Sequence, residues 1–233
     1  MADIAEYTEW VTPRLVQCAL EAVASLEAAE LYHGLGSCDI AVNRRNNVES
    51  EVSAMAAAGQ LEKASLAGPF DHSVEVLIAK KAGVSAGPAL AVAFGYACHA
   101  TVMGASSMHG DWPGCAMANL EGSGACSIAM HINGCSGDQN PLPRRKIELM
   151  EKYGQQMADT VSEVVAHCDE SMDPCRHPTS SSAILRPPTP IQGDNIMLRC
   201  VAVALSLRYH ELPSEADLIR TRDSTGELRV HDG

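Results

Sequence analysis

Long apolar runs are missing from this chain: none of its 233 residues lies in a stretch approaching the roughly 18 consecutive apolar residues that a membrane span needs. The N-terminal MADIAEYTEW also lacks the basic flank and apolar stretch of a signal peptide, so the sequence carries no export address and reads as cytoplasmic. Positive charge is scarce. Seventeen Lys+Arg face 29 Asp+Glu, a net charge of −12. Apart from short runs such as Arg44-Arg45 and Arg144-Arg145-Lys146 the basic residues are dispersed, and such a surface repels phosphate backbones, which argues against nucleic acid as a partner. The nine cysteines are odd in number and include no Cys-x-x-Cys pair. Cys18, Cys98, Cys126 and Cys200 lie in apolar stretches where a thiol packs as a small hydrophobe, so they are expected reduced and buried. What the chain does have is 46% hydrophobic residues at a length able to bury a real core, which excludes both disorder and a disulfide mini-scaffold.

Periodicity organises the chain. Over residues 8–26 the apolar positions Val11, Leu15, Cys18, Ala19, Ala22 and Leu26 recur at three- and four-residue steps, predicting a helix with Pro13 in its first turn. Residues 29–45, with Gly34, Gly36, Ile40 and Val42, read as a strand or hairpin that ends in the polar loop 43–47. Residues 48–68 fit either a short helix or a loose insertion. Strands are expected at 74–78 and 89–98, a turn at 83–87, a short helix from Asp111 to about Leu120 stopped by Gly122 and Gly124, and a strand at 125–132. A turn-rich loop at 133–141 precedes a long helix over about 144–168 whose buried face is Ile147, Met150, Met157, Val161, Val164 and Val165. The expected organisation is a partial α/β domain over 1–168 and a Pro/Ser-rich connection over 169–195. A final strand of the same domain follows over 196–213, and then a polar tail over 214–233. The fold class is α/β, a mixed sheet containing a parallel strand-helix-strand unit flanked by helices. An α/β piece with so few aromatics (4%) is expected to leave an apolar sheet edge or face open and to self-associate.

The strand-helix-strand unit places the chemistry. A right-handed crossover makes strands 89–98 and 125–132 parallel, so His99 and the loop 133–140 meet at one carboxyl edge of the sheet, where ligands of α/β proteins bind. A neutral imidazole such as His99 can bind zinc or carry a proton. Asp111 and Asp138 can orient it, and Asn140 with loop amides can polarise a carbonyl. Gly134 and Gly137 allow close backbone approach. Ser136 and Cys135 are candidate nucleophiles on a tight turn, with no histidine inside their loop to activate them unless His99 reaches over. Arg144-Arg145-Lys146 sits where a helix dipole disfavours cations. A carboxylate partner, Asp138 or a substrate acid, would compensate, and solvated side chains pointing away are the bland alternative. Arg44-Arg45 invites the same two readings. A rival metal cluster, His167-Cys168 with Cys175 and His177, has zinc-ligand chemistry but matches no common finger spacing.

Three stretches carry a family resemblance: Tyr96-Ala97-Cys98-His99-Ala100-Thr101-Val102-Met103-Gly104, Gly110-Asp111-Trp112-Pro113-Gly114 and Asn133-Gly134-Cys135-Ser136-Gly137-Asp138-Gln139-Asn140-Pro141. Ala41-Val42-Asn43-Arg44-Arg45 and Gly68-Pro69-Phe70-Asp71-His72 support them. In order and spacing the set resembles the neutral/alkaline non-lysosomal ceramidase family over most of residues 7–168. The resemblance implies a zinc-dependent amidohydrolase acting on linear amides (C–N bonds other than peptide), cleaving the N-acyl amide of ceramide-like lipids. It makes His99 a zinc ligand and places Gly137-Asp138 in the family's nucleophile loop. Catalytic candidates are then Asp138, Ser136, Asn140 and Asp111, and the substrate-binding candidates are Arg44, Arg45 and Arg144. The chain departs from the family in three places. The upstream His-Thr-His-Ser-Gly-Pro motif has no counterpart, the later ligands and C-terminal sandwich domain are absent, and Gly134 stands where the family has its serine. Two further readings follow: a non-catalytic remnant or interaction domain of the same fold, and a metal-free small-molecule hydrolase using His99, Asp111 and Asp138.

Overall fold

The computed structural model describes residues 2–84, 87–104, 108–168, 186–191 and 214, and divides the chain into a unit Met1–Ile191 and a unit Gln192–Gly233. In the first unit the elements run α1 (Ala2–Ala24), β1 (Ala29–Ser37), β2 (Ala41–Asn43), α2 (Glu49–Ala57), a 3₁₀ turn (Lys63–Ser65), β3 (Ser73–Lys81) and β4 (Ala89–Tyr96). They continue with α3 (Asp111–Gly122), β5 (Cys126–Asn133), β6 (Gln139–Pro141), α4 (Ile147–Ala166) and β7 (Arg186–Pro190). Five strands form one sheet in the order β5-β4-β3-β1-β7, and β2 pairs with β6 separately. All neighbours are antiparallel except β4 and β5, which run parallel from Ala89 beside Cys126 to Tyr96 beside Asn133. With α3 as their crossover, these two strands are the expected parallel unit, and the fold is α/β. No helix among the described residues is long and apolar enough to cross a membrane.

One sheet face holds the core. Val74, Val76 and Ile78 of β3 alternate inward, as do Val92, Phe94 and Tyr96 of β4. They pack under Trp112, Ala116 and Leu120 of α3 and Met157, Val161 and Val164 of α4. The glycines of β1 explain why its strand signal is faint. A Cβ at Gly36 would stand 2.8 Å from Thr160 Cγ2, and one at Gly34 would stand 2.6 Å from Val164 Cγ1, so α4 lies directly on this strand and no side chain fits between them. A second small core, Val42, Val52 and Leu142 with Leu61 and Leu66, resolves residues 48–68 into α2 and the 3₁₀ turn.

Several expectations are corrected. The first helix starts six residues earlier than its apolar period, and Pro13 lies in its interior rather than in its first turn. Its stripe does not face a core: Leu15, Ala19, Ala22 and Leu26 are exposed, and so is Cys18. Ile147 is exposed at the first position of α4, because the turn of helix that covers the sheet begins further along. Arg186–Pro190, inside the stretch read as a connection, is an edge strand whose His33–Thr189 and Tyr32–Pro190 pairs join it to β1. An edge position tolerates prolines that a central strand would not. At the other edge β5 is uncharged and leaves Ile128, Met130 and Ile132 exposed. Cys175, His177, Cys200, the strand expected at 196–213 and the tail beyond Ser214 lie outside the described residues.

Packing sets a pH response at His131. Its ring lies 5.0 Å from Trp112 and 5.3 Å from Phe94, its Nε2 is buried without a partner, and burial pushes the imidazole below the ordinary histidine value. The unfolded chain takes up this proton first. Stability is therefore complete above about pH 6.5 and declines as pH falls from there toward the lower folded value. The urea midpoint is expected to drop between about pH 7 and 5, and His131→Leu is expected to flatten that part of the profile.

Candidate functional site

The carboxyl ends of β4 and β5 are tied together by backbone. Gly134 N–H donates to the Tyr96 carbonyl at 3.0 Å, and His99 N–H donates to the Gln139 carbonyl at 3.0 Å. His99 and the loop 133–140 therefore share one rim, as the parallel crossover requires. From below, the indole Nε1 of Trp112 donates to the His99 carbonyl at 3.0 Å. The backbone of His99 is thus clamped from two sides while its half-buried imidazole makes no hydrogen bond to a described residue.

Asp138 is held from the facing strand. Its carboxylate accepts from Asn43 Nδ2 at 3.1 Å and its carbonyl from Arg44 N–H at 2.7 Å. The Arg44 guanidinium reaches the Gly137 carbonyl at 3.0 and 3.2 Å. Asn43 is the hub. It is 2% exposed, donates also to the Pro69 carbonyl, and accepts from the Arg45 and Asn46 amides through its side-chain oxygen. Gln139, also buried, accepts from Asp71 N–H at 2.8 Å. The supporting sequence matches contained Asn43 and the 68–72 segment but gave neither a role. An asparagine that ends a strand and opens a polar loop is the signal for this turn-capping position.

Asp111 belongs to the scaffold beneath the rim. Its Oδ1 accepts from Val102 N–H at 3.1 Å and Trp112 N–H at 2.8 Å, and its Oδ2 accepts from Met103 N–H at 2.9 Å. Both oxygens are engaged with backbone, so it orients His99 through the loop and through Trp112. Ser136 is buried, and its Oγ accepts from Asn133 Nδ2 at 3.0 Å. No hydrogen bond joins it to a histidine among the described residues. Cys135 is exposed on the same turn. Beside His99, burial pushes the Cys98 thiol up and keeps it neutral.

The arginines find a carboxylate, but neither Asp138 nor a ligand. Glu49 at the start of α2 accepts from Arg144 Nη2 at 2.6 Å and from Arg145 Nε at 2.7 Å. Arg144 Nη1 donates to the Thr101 carbonyl at 3.2 Å. The Arg144 guanidinium, with Arg145 behind it, holds Glu49 below the usual carboxylate range against the opposing effect of burial. Arg144 therefore pins the segment that follows His99. Arg45 is exposed, and its side chain binds no described residue.

Besides the exposed Arg45, three polar groups of the rim are without a hydrogen-bond partner among the described residues. The His99 imidazole and the Asn140 amide, in a residue only 6% exposed, make no hydrogen bond to a described residue, and Thr101 Oγ1 is buried without a partner. Uncommitted buried polar groups are costly in a core and useful at a binding site. As for zinc, no three His, Cys, Asp or Glu side chains among the described residues converge to hold a metal ion, so this rim offers His99 alone.

No family model and no curated protein matches the chain. Among solved structures it is similar to a ceramidase complexed with C2, at 17% identity and a TM-score of 0.49, over 64% of this chain and 24% of that one. It is also similar to neutral ceramidase from Pseudomonas aeruginosa, at 18% identity and a TM-score of 0.49, over 66% and 25%. The chain spans about a quarter of the length of these structures.

Proposed function

We propose that this rim is one wall of a ceramidase-like amidohydrolase site that takes the N-acyl amide of a ceramide-like lipid. The observation that carries the reading is the trio His99, Asn140 and Thr101, whose side chains make no hydrogen bond to a described residue on a rim where Asp138, Ser136 and Arg44 are tied down. In this reading the Asn140 amide N–H₂ polarises the acyl carbonyl, His99 binds zinc or carries the proton, and Asp138 keeps the loop in place through Asn43. Arg45 is the arginine free to meet a substrate oxygen, since Arg44 and Arg144 are engaged with the protein. Zinc, when bound, would supply a Lewis acid and an activated water. Its donors besides His99 would have to come from outside the described residues, and the roles of Asn140, Asp138 and Arg45 do not depend on it.

The test is metal content and product release together. The purified chain is expected to hold zinc stoichiometrically, and His99→Ala to lose it. The same variant is expected to lower fatty-acid release from a short-chain ceramide by about 10–100-fold or more. A folded protein without zinc and without release would overturn the reading. The alternative, a non-catalytic interaction domain of the same fold, is favoured by one observation: Asp138, Ser136 and Asp111 all have protein partners for their side chains.

A further inference from the structure

Away from the rim, between the 3₁₀ turn, the β1–β2 connection and α4, lies a cavity of about 840 Å³. This is the size of ordinary small-molecule sites, and it contains none of the candidate residues His99, Ser136, Asp138 or Asn140. Lys63 stands in its wall with its ammonium drawn inward. Nζ donates to the Asp39 carbonyl at 2.5 Å and the Ile40 carbonyl at 3.3 Å, and lies 5.3 Å from the centre of the Tyr153 ring. A lysine ammonium has three donors, and one remains. Burial lowers its pKa from the ordinary lysine value. The Asp39 carboxylate opposes that shift, and the positive charge of Lys152 on α4 adds to it. Lys152 itself makes no hydrogen bond or ion pair with a described residue. One turn further along α4, Gln156 lines the same cavity with its Oε1 buried and unpartnered.

The rest of the wall narrows the ligand class. Leu61, Phe70 and Leu149 supply apolar surface, with the Phe70 ring stacked on His72 at 4.3 Å. Asp39 and Glu62 also line the cavity, so the wall's carboxylates balance its two ammoniums, and a dianion such as phosphate would bring two uncompensated negative charges beside them. A single negative charge relieves the repulsion between Lys63 and Lys152 without meeting that penalty. We propose that this cavity binds an organic monocarboxylate with a short apolar stem, its carboxylate between Lys63 and Lys152 and its stem along Leu61, Phe70 and Leu149.

Titration calorimetry with octanoate, below the concentration at which it forms micelles, tests this on the full chain. One octanoate is expected per chain, with acetate at least about tenfold weaker because it lacks the stem and with no binding of octylamine or inorganic phosphate. Lys152→Ala, at an exposed position that leaves folding intact, is expected to weaken octanoate about tenfold, while His99→Ala leaves it unchanged. The proposal is overturned if wild-type protein does not bind octanoate, if Lys152→Ala binds it as tightly as wild type, or if phosphate displaces it. Loss of binding in His99→Ala would equally overturn it, by moving the ligand to the rim.

Discussion

Asp111→Ala is expected to destabilise the protein by about 3–5 kcal/mol, read as a lowered urea midpoint at unchanged slope. The carboxylate is 3% exposed and accepts three backbone N–H bonds, from Val102, Met103 and Trp112, of which Val102 and Trp112 are completely buried. Alanine would leave those donors without acceptors, at about 1–3 kcal/mol for each that water cannot reach. The backbone adds to this, since Asp111 sits at a φ of 52°, a left-handed conformation that aspartate and asparagine tolerate and alanine does not. Asp111→Asn keeps one acceptor oxygen and the tolerance for that φ, so it is expected to cost about half as much. A cost under about 1 kcal/mol for alanine would show that the 101–104 loop finds other acceptors. The damage should reach the rim, because the Trp112 indole that follows Asp111 holds the His99 carbonyl.

The same residue marks where reading the sequence stops. An aspartate opening a helix beside a histidine suggests an acid that orients the imidazole, and nothing local shows that both oxygens are turned toward backbone amides nine and eight residues upstream. Arg144 is similar. A missing carboxylate could be inferred from the helix dipole, but Glu49 lies 95 positions away and only the tertiary fold brings it near. What was legible was the geometry of the parallel unit. Two apolar runs of strand length, joined by a short glycine-stopped helix, force one handedness, and with it the meeting of His99 and the 133–140 loop. Apolar period alone cannot name a partner, so the stripe of α1 predicted a helix correctly while its face turned out exposed. The prolines of Arg186–Pro190 concealed an edge strand for a different reason: a strand paired along one side needs only half its donors.

The contact between α3 and α4 carries the second large expected effect. Gly154 is buried where the two helices cross, and a Cβ there would overlap the Cys115 side chain and stand 3.1 Å from both Ala116 N and Trp112 O. Two of those three neighbours are backbone of a packed helix and cannot swing aside. Gly154→Ala is therefore expected to cost about 3 kcal/mol through overpacking, offset by about 1 kcal/mol because alanine is the better helix former. Gly154→Val should be worse, since branching at Cβ enlarges the overlap and forfeits the helix gain. Cys115→Gly separates this cause from a general intolerance of α4. On its own it should cost about 1 kcal/mol as a glycine in a helix, but combined with Gly154→Ala it removes the principal clash. The double variant should then be more stable than the two single costs predict, by about 1 kcal/mol or more in a double-mutant cycle followed by urea unfolding. Simple additivity would mean that the backbone contacts with Ala116 and Trp112 dominate. In that case α3 itself must shift, and because Trp112 anchors the His99 carbonyl, the displacement would register at the rim as well as in stability.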